Sequence, residues 1–220
     1  MRGKRIYLAG AAAALVGAGL VAAPQAFGDA VPDNGCADVH IIATRASTER
    51  PGAGIIGSLV GAVQRASDQT VSTEATDYPA VLNPYNQSVA AGVRALTGRL
   101  TAKAAACPDT KLVLMGYSQG AHVTGDVLAS GRAPGVTAVI LMGDPRYVPG
   151  KPFNAGTSKV AGLFPRGARE SLDAFGDRIQ SYCDTGDTFC AKGASVAVHL
   201  GYTRKYNSAA QRFVLQKIGG

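Results

Sequence analysis

The chain places one serine between two glycines, keeps only three histidines, and sets aspartates in "GDP" (143–145) and "CDTGDTFC" (183–190). Those residue types can build a nucleophile, a base and an acid. Gly116-Tyr117-Ser118-Gln119-Gly120 fits G-x-S-x-G, the pattern in which a serine stands on a strained turn between a strand and a helix and flanking side chains would collide. The context agrees, because "KLVLMGYS" (111–118) reads as a buried strand and "QGAHVTGDVLASG" (119–131) as a helix ended by Gly131. An ordinary glycine turn is the rival reading, and the presence of partners decides between them.

A serine hydroxyl needs a base. His40 lies inside an apolar strand and reads as a packed strand histidine. His122, four residues past Ser118 on the following helix, sits a turn further on, away from the strand end, and reads as structural. His199 comes late, after an acidic loop and before the last helix, in the order serine, acid, histidine expected of such folds. It is the candidate base. Three aspartates compete to orient it. Asp187 lies inside "CDTGDTFC", twelve positions before His199. Asp144 ends the strand after the nucleophile helix, where "GDP" could simply turn, and Asp184 adjoins Cys183 at the base of the small loop. Asp187 is favoured because a disulfide would stiffen its loop. A tetrahedral intermediate also needs donors for its oxyanion. The Gln119 amide follows the nucleophile, and the loop "TRASTE" (44–49) offers the amide and hydroxyl of Ser47, which could otherwise be a loop or capping serine.

These residues must be brought together by the elements around them. "CADVHIIATRAS" (36–47), "KLVLMGYS" (111–118), "VTAVILMGDP" (136–145) and "RIQSYC" (178–183) read as strands. "GIIGSLVGAVQRASD" (54–68), "QSVAAGVRALTGRLTAKAAAC" (87–107), residues 119–131 and "GYTRKYNSAAQRFVLQKI" (201–218) read as helices, with Ser88 a candidate cap. The strands are apolar runs without period-2 alternation, and they alternate with helices. That pattern predicts a three-layer α/β/α sandwich around a central, mostly parallel sheet. Ligands of such sheets gather at the carboxyl ends of the strands. Ser47, Ser118, Asp144 and the loop after Cys183 all fall there.

Length and composition bound the rest. With 220 residues, 46% hydrophobic and 17% charged, the chain can bury a single core and is not of disordered composition. Arg2, Lys4 and Arg5 precede an apolar run from Ile6 to Ala23, followed by small residues at Ala26, Gly28 and Ala30. Residues 1–30 therefore read as a secretory signal, with an uncleaved anchor as the alternative, and residues 31–220 as one domain. Loss of those three cations lowers the formal charge from +7 to +4. The remaining Lys and Arg are scattered, with no nucleic-acid motif, so no nucleic-acid partner is expected. The residual charge leaves room for weak attraction to an anionic envelope or membrane surface. Cys36, Cys107, Cys183 and Cys190 make an even count, which in an exported chain implies two disulfides. Cys183 and Cys190 close a short loop, leaving Cys36 with Cys107. With no C-x-x-C and no histidine at ligand spacing, neither a metal nor a cofactor is expected.

Together these segments resemble the cutinase family of small serine esterases within the α/β-hydrolase fold. "GYSQG" (116–120) matches the family's nucleophile turn. "CDTGDTFC" (183–190) followed by "HLGY" (199–202) matches its acid loop and base, and is the most specific element. "ATRASTE" (43–49) resembles its oxyanion segment, with Ala46 where many members have glycine. The likeness spans residues 36–218. The resemblance implies Ser118 as nucleophile, Asp187 as acid, His199 as base, Ser47 and Gln119 as oxyanion donors, the same two disulfides, and no large lid. The expected protein is a secreted, monomeric carboxylic ester hydrolase acting on lipid or polyester acyl esters through an acyl-serine. An acetylated polysaccharide as substrate is the alternative, and a non-catalytic binding protein on the same fold is the rival from another class.

Overall fold

The computed structural model describes residues 35–219, so the expected signal segment lies outside the described residues. Five strands, β1 (Val39–Thr44), β2 (Val71–Ala75), β3 (Lys111–Tyr117), β4 (Val136–Met142) and β5 (Ile179–Tyr182), form one sheet in the order β2-β1-β3-β4-β5. Every neighbouring pair is parallel. The helices are α1 (Gly57–Ala66), α2 (Tyr85–Ala106), α3 (Gln119–Ala129), the single turn α4 (Val196–His199) and α5 (Tyr202–Ile218).

Alternate residues of each central strand feed two separate cores. Val113, Met115 and Tyr117 of β3, with Ile140 and Met142 of β4, pack on Leu59 and Val63 of α1 and Val214 and Ile218 of α5. Leu112 and Leu114, with Val139 and Leu141, pack on Leu96 and Leu100 of α2 and Val123 and Val127 of α3. Both faces of the sheet are covered, which is why the strands are continuously apolar: each second residue still meets a helix. Each such side chain contributes about 1.5–3 kcal/mol by leaving water. The layers are therefore α/β/α, as the periodicity predicts.

Strand β2 escapes the sequence reading. It is a polar edge strand, "VSTEA", in which only Val71 is buried. It is tied to β1 by His40, which bonds Ser72 Oγ at 2.8 Å through Nδ1 and Glu74 Oε1 at 3.1 Å through Nε2. His40 is thus a satisfied strand histidine, 4% exposed. Ser88 does not cap α2. The helix begins at Tyr85 after Pro84, so Ser88 lies inside it, and its hydroxyl donates to Gln119 Oε1 at 2.9 Å while accepting the Val81 amide at 3.1 Å.

A parallel sheet delivers the carboxyl ends of its strands to one edge. Register pairs Thr44 with Gly116, Tyr117 with Met142, and Met142 with Tyr182. The segments leaving that edge carry Ser47, Ser118, Gly143 and the loop that starts at Cys183. The disulfide Cys183–Cys190 closes that loop across seven positions, and Cys36–Cys107 ties the start of β1 to the end of α2 across 71.

Candidate active site

Ser118 sits between β3 and α3 with φ +53 and ψ −118. The positive φ is a strained state for a residue with a side chain, held here because both flanks are over-determined. The Ser118 amide donates to Met142 O at 2.8 Å and its carbonyl accepts the His122 amide at 3.0 Å. The glycines are required by contact. A Cβ on Gly116 would stand 2.5 Å from the Gly120 carbonyl, and one on Gly120 would stand 2.0 Å from the Thr44 carbonyl. The first turn of α3 is thereby pressed against the end of β1, and Ser118 is left half-buried at the sheet edge.

Across the cleft, His199 Nδ1 lies 2.8 Å from Asp187 Oδ2. Asp187 is fully buried, and a buried carboxylate must be compensated. Its Oδ1 accepts the amides of Phe189 at 2.6 Å and Cys190 at 2.9 Å, and its Oδ2 also accepts the Tyr202 hydroxyl at 2.8 Å. Burial pushes the Asp187 pKa up, but the hydrogen bond and charge of His199, the Cys190 amide and the Tyr202 hydroxyl outweigh it and hold it below the usual aspartate value. Asp187 is therefore an anion and can only accept, so Nδ1 of His199 carries a proton and donates it to the carboxylate. The imidazole is framed on several sides. Phe189 packs 4.5 Å from its centroid, Tyr117 meets it edge-on at 5.8 Å, and the Tyr117 hydroxyl donates to the His199 carbonyl. Gly143 (φ +65) closes the frame, since a Cβ there would lie 2.7 Å from His199 Cε1 and 2.9 Å from Nδ1.

The loop after β1 is held by Glu49, whose carboxylate accepts the amides of Ala46 and Ile55, each at 2.7 Å. The Thr48 amide donates to Ala80 O at 2.6 Å. The Ser47 amide, between those two, makes no hydrogen bond among the described residues. The Gln119 amide is the first of helix α3, where no intrahelical acceptor exists. The Gln119 side chain is spent elsewhere, its Oε1 on Ser88 and its Nε2 on Val81 O at 2.9 Å. That closed set of bonds ties the loop 78–84 to the nucleophile helix.

Ser47, Ser118 and His199 line one cleft of about 460 Å³. No hydrogen bond joins Ser118 to His199 among the described residues; such pairs are often long in ligand-free structures and tighten around substrate. Asp144 is brought elsewhere. Its Oδ2 accepts Arg166 Nη1 at 2.5 Å and its Oδ1 the Arg146 amide at 2.8 Å. Asp184 is engaged by Lys205 Nζ at 2.6 Å, the Tyr206 hydroxyl at 2.6 Å and the Thr157 amide at 3.1 Å. His122 bonds the Tyr85 hydroxyl at 3.0 Å and Asp126 Oδ2 at 3.2 Å, and is 7% exposed.

Walls of the cleft come from Leu82, Tyr85, Leu163, Phe164, Val196 and Leu200. The apolar stretches 78–85 and 194–202 account for four of these, but Leu163 and Phe164 belong to a long β4–β5 connection that carries no sequence signal. Gly143 and Tyr202 are likewise unmarked as site residues in the sequence. Gly143 reads as part of a turn, and only the "HLGY" motif draws attention to Tyr202. Among the described residues, every large hydrophobic side chain left exposed is one of Leu82, Leu163, Phe164, Val196, Leu200, or Val81 and Val160 beside them in sequence.

A parallel five-stranded sheet between helical layers, with a strained serine turn at its carboxyl edge, defines the α/β-hydrolase class. A family model described as Cutinase matches residues 35–218. The chain is 32% identical to Acetylxylan esterase 2 of Talaromyces purpureogenus, over 94% of this chain and 97% of that protein. It is 34% identical to Cutinase 11 of Verticillium dahliae, over 83% of this chain and 70% of the other. The solved catalytic core domain of acetyl xylan esterase from Trichoderma reesei superposes with a TM-score of 0.78 at 32% identity, covering 83% of this chain and 99% of that one. The chain belongs to the cutinase family and is a carboxylic ester hydrolase.

Proposed function

We propose that Ser118 is the nucleophile, His199 the base and Asp187 the acid of an exported lipolytic or polyester esterase, with the Gln119 and Ser47 amides as oxyanion donors. The observation that carries this is the Asp187–His199 pair, whose protonation leaves Nε2 basic in the cleft that Ser118 also lines. His199 Nε2 takes the Ser118 proton as Oγ attacks the ester carbonyl. The oxyanion gathers at the two spare amides, His199 returns the proton to the leaving alcohol, and an acyl-serine remains. Water, deprotonated by the same imidazole, then releases the acid. Side chains, two backbone amides and water carry these steps. In Ser118→Ala, release of p-nitrophenol from a short acyl ester should vanish. A folded variant that keeps it, or native protein that a fluorophosphonate does not label, overturns the assignment and favours a binding protein on the same fold.

The rim supports an acyl-ester substrate of lipid or polyester type, since exposed apolar side chains concentrated around one cleft mark an apolar ligand surface. The relatives named as acetylxylan esterases favour the second reading, removal of acetyl groups from a polysaccharide. A profile of kcat/KM against acyl length separates the two: a maximum at medium chains supports the first, and a steep fall beyond acetyl supports the second. Residues 1–30 are proposed as a cleaved signal, with the two disulfides as support for export; no helix among the described residues is long and apolar enough to cross a membrane. N-terminal mass analysis of secreted protein tests that. Monomeric behaviour with weak salt-sensitive envelope association is tested by light scattering and by vesicle sedimentation.

A further inference from the structure

The loop that carries the Ser47 amide is fastened on either side of it. On one side, Glu49 Oε2 accepts the Ala46 amide, while Glu49 Oε1 accepts the Ile55 amide, each at 2.7 Å. On the other, the Thr48 amide reaches Ala80 O at 2.6 Å, with Thr48 at φ +66 and Ala80 at φ +53. Backbone strain of that kind persists only where the surroundings over-determine it, and it gathers at functional sites. Gly54 makes room for the carboxylate, since a Cβ there would stand 2.0 Å from Glu49 Oε2.

Two converging N–H donors need a side chain that accepts at both ends. A carboxylate does so, whereas an amide turns one end into a donor. The charge is not free of consequence, because Glu49 lines the ester cleft in which an oxyanion would develop. Arg45 supplies the opposing charge within the same loop. Its guanidinium is buried, donates to the carbonyls of Glu49, Thr76 and Tyr78, and lies 5.0 Å from the centre of the Tyr78 ring. The Tyr78 hydroxyl donates back to Arg45 O at 2.7 Å. Cation and carboxylate together fix residues 45–49 to the segment 76–80 and leave the Ser47 amide unspent between them.

We propose that Glu49 is a positioning residue for the transition state: its carboxylate aims the Ser47 amide at the oxyanion and acts through that amide alone. The inference rests on the reading of Ser118 as nucleophile and Ser47 as oxyanion donor. The test compares the whole mature protein with Glu49→Gln, and with Gly54→Ala, which keeps Glu49 but evicts its carboxylate. Hydrolysis of p-nitrophenyl butyrate is measured per folded molecule, and two reversible inhibitors of matching chain length are titrated. Ser118 Oγ adds to the carbonyl carbon of a trifluoromethyl ketone, its proton passing to His199 and the carbonyl oxygen becoming an oxyanion. The corresponding methyl ketone stays trigonal. In both variants kcat/KM and affinity for the trifluoromethyl ketone should fall together by about 100-fold, while the methyl ketone Ki stays within about twofold. Near-UV circular dichroism selects the variants that fold, and either one suffices. Native kcat/KM in a folded variant, equal weakening of both inhibitors, or failure of both variants to fold overturns the proposal. An inactive Ser118→Ala beside such a result confines the failure to Glu49, whereas hydrolysis retained by Ser118→Ala removes the underlying reading and the proposal with it.

Discussion

Gly143 offers a direct measure of how tightly the imidazole is held. A Cβ there would come within 2.7 Å of His199 Cε1 and 2.9 Å of Nδ1, against about 3.5–4.0 Å for a relaxed carbon contact. In Gly143→Ala the ring must retreat by about 1 Å. Misplacement of that size costs about 100-fold in rate, equivalent to about 2.7 kcal/mol of barrier. The same substitution also forces alanine to φ +65, a strain of about 1–2 kcal/mol that lowers stability without touching chemistry. Gly131, two residues past α3, isolates that second effect: its φ is +71 and nothing lies within 4 Å of its missing Cβ. Urea unfolding should therefore show similar losses for Gly143→Ala and Gly131→Ala. Hydrolysis of p-nitrophenyl butyrate should separate them, with kcat/KM down about 100-fold in the first and within about twofold of native in the second. Equal activities in the two variants would refute the reasoning, because strain alone would then account for everything.

Tyr202→Phe removes a hydroxyl that donates to Asp187 and accepts the Asp184 amide, so stability should fall by about 1.5–3 kcal/mol at neutral pH. Because the Asp187 pKa is depressed in the folded protein, its contribution is present above the unfolded value of about 3.9 and fades as pH drops through the folded one. The Tyr202→Phe deficit should accordingly shrink on acidification, and a deficit that grows in urea titrations at lower pH refutes this. Loss of Cys36–Cys107 releases a loop of 71 positions and should cost about 4 kcal/mol with activity per folded molecule kept, whereas loss of Cys183–Cys190, across seven, should cost about 2 kcal/mol yet lower kcat by loosening Asp187. Paired serine variants assayed by unfolding and by active-site titration distinguish the two. Asp144→Ala should cost about 3 kcal/mol by leaving the buried Arg166 with Asp126 as its one carboxylate partner, with kcat of the folded fraction near native; a collapse of kcat would make Asp144 the acid after all.

Much of the fold is legible along the chain because its cause is local. Apolar runs at 111–117 and 136–142, alternating with helical periodicity, announce a sheet covered on both faces. The reading fails where local signals are weak. Strand β2 has only one buried residue, and its membership depends on His40 reaching Ser72 and Glu74 from the neighbouring strand. Ser88 offers a plausible cap in isolation, but α2 starts three residues earlier and turns it toward Gln119.

For the site, the sequence by itself determined the inventory: a serine between obligatory glycines, a late histidine, and an aspartate in a cysteine-closed loop. It also determined the order in which they occur, which sets His199 above the nearer His122. The cysteine-closed loop already favours the last of Asp144, Asp184 and Asp187, and the tertiary structure gives each of the three its own partners. Arg166 claims the first, Lys205 and Tyr206 the second, and His199 the third. It alone also placed Gly143 and Phe164, which carry no motif, at the site, and set Tyr202 of the "HLGY" motif against Asp187. Their places follow from parallel register, which carries β3, β4 and β5 to one edge and so makes neighbours of residues far apart in sequence.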